Sequence, residues 1–229
     1  MKNLSFIARR KFDLIKSKYQ EPALRRAGKR YIEENKIPLF KGVEDEISAI
    51  PFDLYNLHKT VIERKPKCIL KFGVGFSTLV LCHALMSNRQ GRLYSVDTSE
   101  EWLENTRAKL PNDAPVVLIH SSATAKEING ELCHTFDHIP DVIPNMVYLD
   151  GPYGPDVQGA INGLSFNGTS RRTEISADML LLESTLPASF ILVVDGRDRN
   201  QAFLRRNLKR HYKIKSRPAL KFTTFELVG

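Results

Sequence analysis

Cysteine is scarce in this chain, with 3 among 229 residues and no two of them close together. An odd number of widely separated cysteines does not fit the disulfide framework of a small secreted protein. Cys68 and Cys82 lie among apolar residues, where buried free thiols are common. The cysteine pattern favours a reducing compartment, and we expect a cytoplasmic protein.

Long apolar runs are also missing. The longest, residues 190–194, has the length of a strand and falls far short of the roughly 18 residues that cross a bilayer. The N-terminus carries basic residues but no apolar segment typical of a secretory signal. We therefore expect a soluble chain without a transmembrane segment.

Acidic residues are outnumbered, because 34 Lys and Arg stand against 26 Asp and Glu and give a net charge of +8. The excess is concentrated in residues 9–41 and 205–221. Such segments attract phosphate-rich partners or anionic lipid, although solvated helix faces are often equally basic. We expect residues 1–50 to form a basic helical N-terminal extension and residues 51–229 to form one α/β domain.

From residue 67 onward, short apolar runs alternate with segments of helical spacing. The runs that predict strands are residues 68–72, 92–97, 116–120, 146–150 and 190–195. This alternation predicts a mostly parallel sheet with helices on both faces. Residues 212–217 and 220–227 are too close in sequence for a crossover connection, so they are predicted to form an antiparallel C-terminal hairpin.

Glycine or aspartate follows most of these strands. Gly73 and Gly75 come after the first, and Asp97, Asp150 and Asp195 end the second, fourth and fifth. In open parallel sheets ligands bind beyond the carboxyl ends of the strands. The glycines allow a tight turn close to a ligand, and the carboxylate of Asp97 can accept the hydroxyl protons of a ribose. The pattern indicates a nucleoside site.

A nicotinamide dinucleotide is disfavoured as the ligand. Its fingerprint has a third glycine for close helix packing, and here Thr78 stands at that position. The antiparallel hairpin also differs from a dinucleotide-binding sheet, which continues with parallel strands.

Residues 69–79 read ILKFGVGFSTL and resemble the first motif of class I S-adenosylmethionine-dependent methyltransferases. Residues 93–97 resemble the second motif, and residues 147–152 resemble the motif at the fourth strand. The terminal hairpin is similar to the seventh strand that this family inserts. The resemblance covers residues 50–229 and implies a Rossmann-like sheet, S-adenosylmethionine as cofactor, and O- or N-methylation of an unidentified acceptor.

The resemblance also implies roles for individual residues. Those implied to bind the cofactor are Lys71, Phe72, Gly73, Gly75, Ser77, Asp97, Thr98, Ser121 and Ser122. Asp97 would bind the ribose hydroxyls, and Ser121 and Ser122 would flank the adenine. Asp150 would lie near the transferred methyl group and act as the catalytic base.

One position departs from the family, which usually has an acid where this chain has Lys71. That acid helps to hold the cofactor's ammonium. A lysine would repel the ammonium unless it folds away or pairs with Asp150 or Asp195. The departure favours an alternative function, a catalytically silent protein of this fold whose basic N-terminal helices bind RNA, a membrane or a protein partner.

Residues 153–172 are glycine-rich and lack periodicity, which is typical of a substrate loop or lid. Tyr153, Arg171 and Arg172 are the candidate substrate-binding residues, and the arginines could hold an anionic acceptor. We expect a small molecule or a glycan as acceptor. RNA stays an alternative, because residues 150–153 partly match the motif of nucleobase methyltransferases.

A divalent metal is a further alternative, since some small-molecule O-methyltransferases bind one through carboxylates at these strand ends. Asp150, Asp195 and Asp198 would be its ligands, but Gly196 stands where that subgroup tends to have a side-chain amide, so a metal is not favoured. Residues 133–138 contain one cysteine and two histidines at metal-like spacing. We interpret them as ordinary loop residues, because a fourth ligand is missing.

Three local predictions concern helices that follow the strands. Ser77 is expected to cap the helix after the glycines, and Thr98 or Ser99 the next helix. Trp102 is expected to pack against the sheet or against the edge of the adenine.

Overall fold

The computed structural model describes residues 23, 26–37, 51–166, 175–217 and 222–228. Arg171, Arg172 and most of the expected N-terminal extension lie outside the described residues. The division of the chain at residue 50 therefore stays a prediction.

Helices and strands alternate along most of the described chain. The helices are α1 (residues 26–34), α2 (Pro51–Arg64), α3 (Phe76–Asn88), α4 (Glu100–Arg107), α5 (Asp178–Leu182) and α6 (Asp198–Asn207). The strands are β1 (Cys68–Phe72), β2 (Arg92–Asp97), β3 (Val116–His120), β4 (Ala123–Ile128), β5 (Glu131–Phe136), β6 (Met146–Leu149), β7 (Val157–Gln158), β8 (Ile191–Val194), β9 (Tyr212–Arg217) and β10 (Phe222–Leu227). Short 3-10 turns occupy Gly154–Asp156 and Glu183–Thr185.

The larger sheet has seven strands in the order β3-β2-β1-β6-β8-β10-β9. β10 runs antiparallel to both of its neighbours, and the other pairs are parallel. The mostly parallel sheet with a C-terminal antiparallel hairpin is therefore confirmed. The strand order reverses between β1 and β6, and a crevice forms at such a switch point beyond the carboxyl ends of the strands.

Both faces of the sheet are covered because side chains of a strand alternate in direction. Ile69 of β1 packs with Leu57, Val61 and Leu81 of α2 and α3 on one face. Phe72 of the same strand belongs to the core on the other face, together with residues of α5 and α6. The predicted helices on both faces are confirmed.

Helix α1 packs against this domain. Ile32 and Ile37 are buried and form a separate small core with Leu54, Leu79 and Val80. No helix among the described residues has the length and apolar character needed to cross a membrane.

A second, three-stranded sheet joins β5, β4 and β7 in that order. β4 and β5 form an antiparallel hairpin, and its turn has left-handed backbone at Asn129 (φ 54°) and Gly130 (φ 75°). The interpretation of residues 133–138 as a loop was wrong, because Cys133 and His134 lie buried in β5. An Asn-Gly pair between two alternating segments was the sequence signal for this hairpin.

The spacing of residues 175–186 predicts a helix over this whole segment, and this prediction was wrong in its extent. Residue His134 of β5 donates its backbone N–H to the carbonyl of Ile175 and accepts from the backbone N–H of Ala177. This strand-like pairing holds residues 175–177 extended, so α5 begins only at Asp178 and ends at Leu182.

Candidate functional site

Four loops meet at the carboxyl edge of the larger sheet. Phe72 lies beside Val96 on one side and beside Leu149 on the other, and Leu149 lies beside Val194. The residues that follow these strands, which include Gly73, Asp97, Asp150 and Asp195, therefore line one edge. We call this edge the rim.

The glycine loop after β1 needs backbone that other residues rarely adopt. Gly73 has φ 99° and Gly75 has φ 122°. The backbone N–H of Gly73 donates to the carbonyl of Val96 at 2.7 Å, which ties the loop to β2. A Cβ placed on Gly75 would meet nothing within 4 Å, so the loop presents open backbone to the space beyond the rim.

Asp97 binds backbone with both carboxylate oxygens. Its Oδ2 accepts from the N–H of Val74 at 2.7 Å, and its Oδ1 accepts from the N–H of Ser99 at 2.9 Å. Each carboxylate oxygen can accept a second hydrogen bond. The carboxylate thus fixes the glycine loop and keeps capacity for two hydroxyl groups. Ser99 caps α4 by accepting from the N–H of Trp102, as predicted.

Ser121 and Ser122, which are expected around the adenine, form hydrogen bonds with the segment that follows β5. Ser121 accepts through its Oγ from the backbone N–H of His138 at 2.9 Å, and Ser122 donates from its Oγ to Oδ2 of Asp137 at 2.7 Å. Asp137 was missed by sequence reasoning because the β4–β5 hairpin was not recognised. With that hairpin, Asp137 would have been placed at the end of β5, next to these serines.

Thr98, at the end of β2, donates from its Oγ1 to Oδ2 of Asp156 at 3.0 Å. Asp156 belongs to the 3-10 turn that follows β6. This bond joins the side of the rim expected to bind the nucleoside to the segment expected to bind the acceptor.

Lys71 is completely buried, although it occupies the last part of β1 next to the glycine loop. Its Nζ donates to the carbonyl oxygen of Gly73 at 2.7 Å and lies 3.6 Å from Oδ2 of Asp150. Burial lowers the pKa of Lys71, whereas the carboxylates of Asp150, Asp97 and Asp195 act to raise it. The lysine has both folded away from solvent and paired with Asp150.

Ser77 also contacts Asp150, and it does not cap α3. The helix begins after Gly75 without a side-chain cap, and Oγ of Ser77 donates to Oδ2 of Asp150 at 3.1 Å. The capping prediction was wrong because the serine lies inside the first helical turn. About a third of the Asp150 side chain, 31%, stays accessible.

Arg197 is a rim residue that sequence reasoning missed. Its guanidinium donates to the carbonyl oxygen of Asp150 at 2.7 Å, and its Nε lies 3.3 Å from Oδ2 of Asp195. Burial and the nearby Asp150 carboxylate raise the pKa of Asp195, while Arg197 opposes this shift. An arginine two residues after a strand-end aspartate was the available signal, since its side chain can return to that carboxylate.

Two solved structures resemble this chain over most of its length. The SAH-bound methyltransferase PaMTH1 of Podospora anserina is 13% identical with a TM-score of 0.52, and the match covers 89% of this chain and 88% of that chain. The O-methyltransferase TomG of Streptomyces achromogenes is 16% identical over 90% of this chain and 89% of that chain, with a TM-score of 0.46. The chain has the fold of a class I methyltransferase. No protein-family model and no curated protein sequence matches it.

Within this methyltransferase fold, the strand-end carboxylates do not fit a divalent metal. Asp150 lies beside the ammonium of Lys71, and Asp195 lies beside the guanidinium of Arg197, so two fixed cations already offset two of the three proposed ligands. A doubly charged ion would be repelled by both. In the described ranges, no group of three or more His, Cys, Asp or Glu side chains is arranged to hold a metal.

The acceptor side of the methyltransferase fold is only partly described. Tyr153 is 71% exposed and follows the rim segment of Asp150 by three residues, whereas Arg171 and Arg172 lie outside the described residues. Trp102 is 53% exposed and so does not pack against the sheet, whereas its packing against the edge of the adenine stays a prediction. Of the three candidate substrate-binding residues, the structure places Tyr153 beside the rim.

Proposed function

We propose that this chain is an S-adenosylmethionine-dependent methyltransferase that modifies an oxygen or nitrogen of a small-molecule acceptor. The observation that carries the proposal is the direct bond between the carboxylate of Asp97 and the glycine loop at Val74. This bond places a hydroxyl-binding carboxylate next to open glycine backbone, which is the combination that a ribose and its 5′ substituent require. The fold shared with the SAH-bound Podospora methyltransferase supports the same ligand class.

The nucleoside part of the cofactor fits the residues present. Gly75 leaves the loop open to a ligand, and each oxygen of Asp97 has one remaining acceptor position. Thr98, Ser121 and Ser122 supply the polar border on the adenine side. When bound, the cofactor supplies an electrophilic methyl group on a sulfonium.

The residues around the acceptor would position it and accept its proton. Asp150 is the candidate base, because its carboxylate is partly accessible at the centre of the rim. The hydroxyl of Ser77 and the ammonium of Lys71 fix the orientation of that carboxylate. Tyr153 would cover the acceptor from the solvent side. Alignment of the acceptor, rather than covalent catalysis, would supply most of the rate enhancement.

Calorimetric titration with S-adenosylhomocysteine tests the proposal. Replacing Asp97 with alanine should weaken binding by about tenfold or more, since two hydrogen bonds to a charged group are lost. Ser99→Ala is the matched control, because it removes the cap of α4 but keeps the Asp97 carboxylate. Equal affinity of Asp97→Ala and the parent chain would contradict the proposal.

A catalytically silent nucleoside-binding protein is the second candidate function. The observation that favours it is the buried ammonium of Lys71 beside Asp150, at a position where the family usually has an acid. Transfer of a labelled methyl group from S-adenosylmethionine to a panel of hydroxyl and amine acceptors distinguishes the two. Binding without transfer to any acceptor would support the silent protein.

A further inference from the structure

The carbonyl oxygen of Gly73 has no free acceptor position for a ligand. It accepts from Nζ of Lys71 at 2.7 Å and from Oγ of Ser95 at 2.9 Å, and a carbonyl oxygen has two lone pairs. Both donors are completely buried. An ammonium that approaches the glycine loop would therefore find this oxygen already saturated.

The other acceptor near the loop is engaged as well. Oδ2 of Asp150 accepts from Ser77 at 3.1 Å and lies 3.6 Å from the ammonium of Lys71. Because Lys71 is fully buried, water screens its charge poorly, and a second ammonium at this place would be repelled.

The ring of Tyr148 also holds Lys71 in place. Nζ of Lys71 lies 5.4 Å from the centroid of this buried ring, within the range of a cation–π contact. The ammonium thus has a carbonyl, a carboxylate and an aromatic face as partners. Displacing the ammonium of Lys71 would break all three contacts, so we expect it to keep its position when a ligand binds.

We infer that Lys71 takes the place of the ligand's own ammonium, so that the rim binds the des-amino analogue of S-adenosylhomocysteine at least as well as S-adenosylhomocysteine itself. The inference rests on the proposed adenosyl site and adds the chemical class of ligand that the site prefers, an adenosyl thioether that keeps the carboxylate but lacks the α-amino group. 5′-Methylthioadenosine lacks both groups and serves as a reference ligand.

The experiment compares three ligands on the full chain by isothermal titration calorimetry: S-adenosylhomocysteine, its des-amino analogue and 5′-methylthioadenosine. The des-amino analogue differs from S-adenosylhomocysteine only in the ammonium, so their ratio of dissociation constants isolates that group. We expect the des-amino analogue to bind with equal affinity or up to about tenfold more tightly, which corresponds to about 1.4 kcal/mol. 5′-Methylthioadenosine should bind more weakly than the des-amino analogue because it lacks the contacts of the whole amino-acid portion.

A variant of Lys71 tests whether this residue causes the preference between S-adenosylhomocysteine and its des-amino analogue. Lys71→Met keeps an unbranched side chain of similar length but frees Gly73 and Asp150 to accept from the ligand, so the preference should shift towards S-adenosylhomocysteine by about tenfold. The matched control is Lys67→Met, because Lys67 is exposed and lies at the opposite end of the same strand. The control should keep the ratio of the parent chain.

The outcomes separate this inference from the proposed function. If S-adenosylhomocysteine binds the parent chain about tenfold more tightly than its des-amino analogue, the inference is overturned and the adenosyl site stands. If no adenosyl ligand binds at millimolar concentration, both the inference and the proposed function are contradicted. The comparison on the parent chain decides the inference even if Lys71→Met does not fold, and an unchanged ratio in a folded Lys71→Met would also overturn it.

Discussion

Gly151 approaches Gly73 so closely that no side chain fits between them. A Cβ placed on Gly151 would lie 2.6 Å from the Cα of Gly73 and 2.8 Å from its backbone nitrogen. Both contacts are with backbone, which cannot move aside as a flexible side chain can. The backbone conformations of the loop after β6 and the glycine loop after β1 therefore constrain each other.

Gly151→Ala should displace the glycine loop. We expect the free energy of unfolding to fall by about 1–3 kcal/mol, as for other overpacked sites, and the affinity for S-adenosylhomocysteine to fall with it. Chemical denaturation and calorimetry measure the two effects. Gly130→Ala is the control, because it adds a methyl group in open space at a left-handed position of the β4–β5 turn. It should reduce stability and leave the affinity unchanged, and an undisturbed affinity in Gly151→Ala would refute the role of this contact.

Arg197→Met should destabilise the rim by about 1–3 kcal/mol, because the carbonyl oxygens of Asp150 and Pro152 lose a donor and Asp195 loses its counter-ion. The loss should grow as the pH rises and Asp195 becomes charged next to Asp150. Adding Asp195→Asn to the variant removes that charge and should restore part of the stability. A double-mutant cycle with thermal unfolding measures the coupling, and strictly additive effects would argue against the pairing of Arg197 with Asp195.

The buried His58 should make the chain sensitive to acid. Its ring nitrogens contact the hydroxyl of Tyr31 and the ring of His83, both at 3.0 Å, and so connect α1, α2 and α3. Burial, together with His83, lowers the pKa of His58 to about 4 from 6.5. The unfolded chain therefore takes up this proton at a higher pH than the folded chain does. The stability from neutral His58 is complete above pH 6.5 and declines as the pH falls towards 4.

Urea denaturation at a series of pH values measures this effect. We expect the free energy of unfolding to fall by about 2 kcal/mol as the pH decreases from 6.5 to 4. His58→Gln can still form hydrogen bonds but does not titrate, so its stability should depend less steeply on pH. His211→Gln, at an exposed histidine, should retain the slope of the parent chain. Identical slopes in all three proteins would exclude His58 as the source.

Asp178 should have the opposite dependence on pH. Its carboxylate accepts from Oγ of Ser176 and from the N–H of Phe136, and burial raises its pKa to about 7 from 3.8. Between these values the unfolded chain is ionised while the folded chain keeps the proton, so stability decreases as the pH rises.

Asp178→Asn removes this titration, and its amide oxygen can accept from the N–H of Phe136 while its amide N–H donates to Oγ of Ser176. The free energy of unfolding of this variant should equal that of the parent chain near pH 4 and exceed it by about 2 kcal/mol above pH 7. Asp113→Asn, at an exposed aspartate, serves as the control in the same denaturation series. A variant that is less stable than the parent chain at every pH would show that the carboxylate is needed for more than its hydrogen bonds.

Sequence patterns located the strands of the larger sheet well because their apolar runs are short and most are bounded by glycine or aspartate. β1, β2 and β3 have the predicted bounds, and Asp97 and Asp150 follow strands that end at the same edge. That the carboxyl ends of parallel strands meet at one edge is a property of the sheet and needs no knowledge of side-chain contacts.

The contacts of individual side chains were not predictable in the same way. The direction of Lys71 depends on Tyr148 and Asp150, which lie far away in sequence. Arg197 was missed because an arginine after a strand is usually solvated, and its bond to the carbonyl of Asp150 exists only once β6 and β8 are paired. Tertiary packing, and not local pattern, decided these positions.

The two-residue pairing of β7 with β4 links the loops on opposite sides of the rim. Ala123 and Thr124 pair with Val157 and Gln158, and the Thr98–Asp156 bond lies immediately beside this short ladder. A movement of the loop after β6 would break the Thr98–Asp156 bond, and the pairing of β7 with β4 would transmit the movement to β4. If the proposed function holds, the segment that would admit the acceptor is mechanically connected to the residues expected to border the adenine, and this favours an ordered sequence in which the nucleoside ligand arrives first and leaves last.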